Sequence, residues 1–280
     1  MTLKPGIHFN MHEDGYRSDP GLNQSLVKRF IAAPTPFHFK YEQDHPPEKS
    51  DAMKLGSAVD CLVSDAAKFK ERFIVWQGGR RQGKEWDAFE LRAEDARMEI
   101  LTLAEKERVI GMVNALEANE DASGIIRHSK RQVVAIADHP SLGFRMKALI
   151  DLLPDTNSEW LFDLKTAAGA DCNTFHDQCF KLDYAMQARW YMDTCRFAGV
   201  YIKSFGFVVV ENEPPHGVQI HYYDYEDEAI GRAGLRYAEA VPRLLECVKN
   251  NAWPDYGAAW RKVTTKPWML KEQQEGEALQ

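Results

Sequence analysis

Apolar positions recur with two different periods along the chain, and the change of period divides it. Leu26, Val27, Phe30 and Ile31 follow helical spacing after Asn23 and Ser25, residue types that cap helices, and Pro34 and Pro36 end the run. Asp44 to Asp51 is polar and contains Pro46-Pro47, which predicts a loop. A second helix is expected from about Ala52, with Leu55, Ala58, Val59 and Leu62 on one face. Residues 85 to 129 are rich in Ala, Glu, Leu, Arg and Met at helical spacing and predict two or three helices. The period then shortens. Residues 132–138, 143–153 and 160–164 read as successive strands, linked by His139-Pro140-Ser141 and Pro154-Asp155-Thr156-Asn157 turns. One long helix is predicted over 174–197, a strand pair over 203–211 and 217–225, and a closing helix over 226–250. Periodicity fades after Trp253, and residues 271–280 are expected to form a mobile tail.

This order of elements implies one α/β domain over residues 1–270 with a mixed central sheet flanked by helices. Its helical N-terminal part covers about 20–130 and its core about 131–250. The 280 residues are 44% hydrophobic and 28% charged, enough to bury a sizeable core. The longest apolar runs, such as Phe205 to Val210, are too short to cross a bilayer, and Met1 to Pro5 has no secretory apolar region. A cytoplasmic location, in a bacterium or a phage-infected host cell, and no membrane partner are therefore expected. Five scattered cysteines, an odd number, argue against a disulfide framework. They contain no C-x-x-C pair, so their spacing suggests neither a structural zinc site nor an iron–sulfur cluster.

The candidate chemistry lies in the strands. Ala148-Leu149-Ile150-Asp151 is followed, after a turn, by Trp160-Leu161-Phe162-Asp163-Leu164-Lys165-Thr166. Strand alternation puts Asp163 and Lys165 on one face and Leu164 on the other. If the two strands pair, Asp151 and Asp163 converge as hard oxygen donors suited to Mg²⁺ or Mn²⁺. Lys165 then supplies a compact cation for a developing phosphorane or for the attacking water. In the next predicted helix Tyr184, Gln187 and Tyr191 share one stripe. The net charge of −7 does not favour nucleic acid as a partner, so basic groups must be local. Candidate clusters are Arg80-Arg81-Gln82-Gly83-Lys84 and Arg127-His128-Ser129-Lys130-Arg131. Ser25, Arg145 and Lys147 are further candidates for phosphate contact, the last two on the Asp151 face of a regular strand.

A hairpin bearing D…D-x-K, followed by a helix with Q-x-x-x-Y, resembles the PD-(D/E)XK restriction-endonuclease-like core in its RecB-like branch. Leu55-Gly56-Ser57-Ala58-Val59-Asp60 resembles the Gly-x-Ala-x-His segment of that branch, with Asp60 in place of His. With Pro20 to Ser25, Arg81 to Glu85 and Ala252-Trp253-Pro254, the likeness extends over about residues 7–260 to the RecE (exonuclease VIII) family. Three positions depart from it: Asp60 for His, Gln132 for a strand Glu, and Leu149 for an Arg.

The resemblance implies a Mg²⁺-dependent exonuclease, with Mn²⁺ a possible substitute. It would digest one strand of linear duplex DNA in the 5′-to-3′ direction and leave 3′ tails for phage-type recombination. Asp60, Asp151, Asp163 and the Leu164 carbonyl would hold metal, and Asp151, Asp163, Lys165 and Gln187 would be catalytic. Tyr191, beside Ser25, Arg145 and Lys147, would face the helix or the DNA. Implied partners are duplex ends, a single-strand annealing protein of the RecT type, and further copies in a ring-shaped trimer or tetramer. The alternative is a catalytically weakened DNA-end-binding or scaffold protein of the same fold.

Overall fold

The protein is described here by a computed structural model, which covers residues 2–9, 11, 13–154 and 158–264. The expected tail at 271–280 and the 155–157 turn lie outside the described residues. The N-terminal part contains β1 (Gly6–His8), α1 (Glu13–Ser18), α2 (Gln24–Ala32), α3 (Pro36–Asp44), α4 (Asp51–Ser64) and α5 (Ala66–Arg72). It continues with β2 (Phe73–Trp76), α6 (Lys84–Asp95), β3 (Glu99–Thr102), α7 (Leu103–Ala118) and α8 (Glu120–Arg127). The rest comprises β4 (Ser129–Asp138), β5 (Arg145–Pro154), β6 (Trp160–Ala167), α9 (Cys172–Lys181), α10 (Tyr184–Phe197), β7 (Ser204–Glu211), β8 (Val218–Asp224) and α11 (Glu228–Asn250).

Caps account for the helix starts. Asn23, Thr35, Ser50 and Asp171 each accept a backbone N–H at the first turn of α2, α3, α4 and α9. Thr102 and Glu105 form a reciprocal capping box on α7. The predicted single helix over 174–197 is in fact two, because Asp183 adopts a left-handed conformation (φ 51°) between α9 and α10. Composition hides this break, since no Gly or Pro marks it. Strands β1, β2 and β3 are likewise absent from the sequence expectation, being too short to show a period.

Six strands form a mixed sheet in the order β1-β4-β5-β6-β7-β8, antiparallel except for the parallel β6–β7 pair. Strands β2 and β3 make a separate parallel pair. One face of the main sheet is covered by α2, α9, α10 and α11 over a core that includes Ala148, Ile150, Leu161, Phe205 and Trp190. The other face is covered by α4, α7 and α8 over Leu152, Phe162, Val208 and Met112. Close approach is built in at Gly206, opposite Phe162 across β6–β7, where a Cβ would fall 2.3 Å from the Phe162 ring.

Helix α10 is anchored by a buried polar knot. Asp193 has no exposed surface and accepts from Arg189 Nε (2.7 Å), Tyr225 Oη (2.8 Å) and Tyr237 Oη (2.5 Å). This ties α10 to α11 and to the residue following β8. Asp193→Ala removes the shared acceptor and leaves a guanidinium and two phenols unpaired. Denaturant unfolding is expected to show a loss of about 3 kcal/mol, and a loss under about 1 kcal/mol would mean that the knot does not hold α10.

Candidate active site

The site forms where β5 and β6 separate. Their register is joined at Leu152 and Phe162. Beyond that point the Asp151 carboxylate enters the gap, its Oδ2 accepting from the Leu164 backbone N–H at 3.2 Å. The expected alternation along β5 slips here. Ala148 and Ile150 pack beneath α10, whereas Leu152 packs on the opposite face with α4 and α7. Across the β4–β5 ladder, Arg131 pairs with Leu152 and Val133 with Ile150, so Gln132 stands opposite Asp151. Gln132 carries φ 51°, a strained conformation for a residue in a strand. The distortion turns both side chains toward the site, as irregular ladders beside functional centres commonly do.

Strand β6 supplies Asp163 and Lys165 on the face toward α10, with Leu164 packed on the other face, as alternation predicts. Asp163 is 3% exposed. Its Oδ1 accepts from Gln187 Nε2 at 2.5 Å, and its Oδ2 contacts Lys165 Nζ as an ion pair but has no well-oriented hydrogen bond. Lys165 Nζ also lies 5.0 Å from the Tyr184 ring centroid. Gln187 and Tyr184 belong to α10, so the helical stripe read from sequence reaches the acids through Gln187.

Asp60 comes from α4. The helix passes close to β6 at Gly56, where a Cβ would sit 3.2 Å from Thr166 Oγ1. Both Asp60 oxygens accept from Gln132 Nε2, at 3.1 and 3.3 Å. Two of the three departures from the family pattern therefore meet in one hydrogen-bonded pair.

Charge crowding marks the cluster. Asp60 is pushed up to about 6 by burial and by the neighbouring Asp163 carboxylate. Asp151 retains a little surface, but surrounding protein together with the charges of Asp163 and Asp60 raises it well above the usual carboxylate range. For Lys165 burial acts downward, yet Asp163 and the other anions outweigh it and hold the ammonium charged. A divalent cation fits this donor set: three partly or fully buried carboxylates, mutual repulsion, and one carboxylate oxygen without a hydrogen bond. The acids are a comparatively open set. Among the described residues, the group of three donor atoms lying within 4.8 Å of one another is a different one, Cys172, His176 and His221.

The remaining sequence candidates take various places. Ser25 is exposed and lines a groove of about 1260 Å³. That groove does not contain the acids. It shares Met53, Lys181, Leu182 and Tyr184 with a second cavity of about 750 Å³ that reaches Leu164 and Lys165. Lys28, Arg29, Lys181, Arg232 and Arg236 line the larger groove against the carboxylates of Asp183 and Glu228. This locally positive surface was not legible from the net charge, because its residues come from three separate helices. Neither expected basic cluster lines it. Arg81 pairs with Glu105 at 3.2 Å, and Arg131 donates to the Val63 and Ser64 carbonyls at the end of α4.

Arg145 and Lys147 are engaged inside the protein. Arg145 binds buried Asp19, with Nη2 to Oδ2 at 2.9 Å; burial would raise the Asp19 carboxyl, but this guanidinium holds it at about 2. Lys147 is 6% exposed and donates to the Tyr16 and Asp19 carbonyls. Tyr191 is buried edge-on to Phe205, in the core on the α10 side. These three brace the lead-in segment and α10 and lie away from the groove lining.

A family model described as a PDDEXK-like domain of unknown function (DUF3799) matches residues 23–261. Among solved structures, the chain is similar to a putative exonuclease from Eubacterium rectale. The identity is 16%, over 96% of this chain and 100% of that one, with a TM-score of 0.63. A phage-related exonuclease from Haemophilus somnus gives 12% identity, coverage of 82% and 96%, and a TM-score of 0.39. An alkaline exonuclease from Laribacter hongkongensis gives 14%, 83% and 93%, and 0.33. The first of these shares the fold of this chain. No curated protein matches the sequence.

The raised carboxyl of Asp60 has a direct thermodynamic consequence. Its folded form binds a proton more tightly than its unfolded form, so stability is favoured at acid pH and lost as pH rises through about 6. Asp60→Asn, which keeps an acceptor for Gln132, is expected to stabilise the metal-free protein by on the order of 1 kcal/mol at pH 8. Near pH 4 it should change stability little. Thermal unfolding at the two pH values tests this, and equal effects at both would show that Asp60 is not under charge stress.

Proposed function

The chain belongs to the PDDEXK-like family, and we propose that it is a metal-dependent exonuclease degrading one strand of linear double-stranded DNA. The observation that carries this reading is the buried Asp163, held at once by Gln187 from α10 and Lys165 from its own strand beside Asp151. Asp60, Asp151, Asp163 and the Leu164 carbonyl are the groups assigned to Mg²⁺ or Mn²⁺. A bound ion of this kind supplies Lewis-acid polarisation of the scissile phosphate and an activated water.

The residues' own tasks follow from their placement. Lys165 presents a fixed positive charge where negative charge develops on the phosphate, and it orients the incoming water. Gln187 fixes the Asp163 carboxylate by donating to Oδ1, and so acts as a positioning residue in the free protein. Gln132 does the same for Asp60. The basic groove lined by Ser25, Lys28, Arg29 and Lys181 is the assigned track for the phosphate backbone. Arg145, Lys147 and Tyr191 act from behind it as supports.

Finer properties come from the resemblance to RecE-type exonucleases. These are 5′-to-3′ polarity, 3′ single-stranded products for strand annealing with a RecT-type partner, and assembly into a ring of three or four copies. A net-acidic chain suits such a ring, because its positive groove needs only to face the inside.

The test is release of acid-soluble nucleotides from linear duplex DNA labelled at either end, with Mg²⁺, Mn²⁺ or EDTA, beside closed circular DNA. Metal-dependent loss from linear DNA alone, starting at the 5′ label, is expected. Binding to ends without release under any metal would replace this reading with the end-binding scaffold. Asp163→Ala and Lys165→Ala should each lower release by on the order of 10³-fold while circular dichroism stays native. Wild-type rates in either variant would remove these residues from catalysis.

A further inference from the structure

We infer that Cys172, His176 and His221 form a second metal site, chemically distinct from the acids and selective for Zn²⁺ or a similar transition metal. Their donor atoms all lie within 4.8 Å of one another. In a tetrahedral zinc site with bonds of about 2.0–2.3 Å, donors sit about 3.5 Å apart, so small side-chain adjustments close the set. Cys172 and His176 are four residues apart on α9 and therefore share one face of the first turns. His221 approaches from β8, and the ring centroids of His176 and His221 are 5.4 Å apart.

The His221 side chain carries the second observation. It is 9% exposed, and its Nε2 lies 2.8 Å from the Ala170 carbonyl oxygen. A carbonyl can only accept, so Nε2 bears the proton and the Nδ1 lone pair is left for a metal. A ligand histidine whose other nitrogen donates to a backbone carbonyl is the usual supporting arrangement of zinc sites. Ala170 is fixed from its other side too, its N–H donating to Glu211 Oε1 at 3.1 Å. The exposed Cys172 and His176 leave the position open to loading from solvent.

One thiolate and two imidazoles are soft to borderline donors. They favour Zn²⁺ over the hard Mg²⁺ that suits Asp60, Asp151 and Asp163. A metal here would tie the start of α9 to β8 and clamp the 168–171 connection that leaves β6 just after Lys165. His176 also lines the basic groove, so the clamp would stiffen its wall. The site stands independently of the nuclease reading, since none of its ligands belongs to the acid cluster.

Cobalt distinguishes the two centres, because only this one contains sulfur. The full-length protein, stripped with a chelator, is titrated with Co²⁺ alone and followed by absorbance. A thiolate-to-cobalt charge-transfer band saturating at one equivalent, and erased by one equivalent of Zn²⁺, is expected. Cys172→Ser should abolish the band, and His176→Ala should weaken cobalt binding on the order of 10-fold or more. Absence of the band when Co²⁺ is saturating, or retention of wild-type band and affinity in either variant, overturns the site. Both substituted residues are exposed, so neither variant should fail to fold.

Discussion

Three carboxylates are brought into a space too poor in water to ionise all of them comfortably, and the local architecture is arranged around that repulsion. Asp60 and Asp151 are displaced toward protonation, while Lys165 is held charged against its own burial. Folding such a cluster is unfavourable unless each oxygen has a donor or a cation. Gln187, the Leu164 N–H, Gln132 and Lys165 supply most of these contacts from two strands, β4 and β6, and one helix, α10. Asp163 Oδ2 has the Lys165 ammonium as an ion-pair partner but no well-oriented hydrogen bond. A divalent cation would relieve the repulsion among the three carboxylates, which links metal binding to stability as well as to chemistry.

The backbone around the cluster is correspondingly specialised. Strand β5 changes face at Asp151, and Gln132 opposite it is left-handed. Helix α10, which must present Gln187 to Asp163, starts afresh after the left-handed Asp183 and does not continue α9. The Asp193 knot then locks it to α11. Rigid support of this sort matters because a buried carboxylate displaced by an ångström loses its partners and its charge balance together.

The departures at Asp60 and Gln132 are intelligible as a pair. The resemblance read from the sequence leads to the expectation of a His on the helix and a Glu on the strand. Here the carboxylate is on the helix and a neutral amide on the strand, joined through Gln132 Nε2 at 3.1 and 3.3 Å. One acid and one neutral hydrogen-bonding partner thus form a pair.

Periodicity and local chemistry were enough to specify the helix that follows Asn23, a helix from about Ala52, strands β4 to β8, and the common face of Asp163 and Lys165. Each of these depends on neighbours in sequence: a cap three residues from its N–H, or alternation along one strand. Charge total and cysteine spacing were poor guides for the complementary reason. The positive groove gathers residues from α2, α9 and α11, and the Cys172–His176–His221 cluster joins one helix to a strand some forty-five residues later. The internal engagement of Arg145 by Asp19, the break at Asp183 and the face change at Asp151 were equally invisible, because long-range packing and not local preference selects them. Sequence determined which side chains could do the chemistry; tertiary structure decided which of them meet, since only folding brings distant charges and donors within a few ångströms.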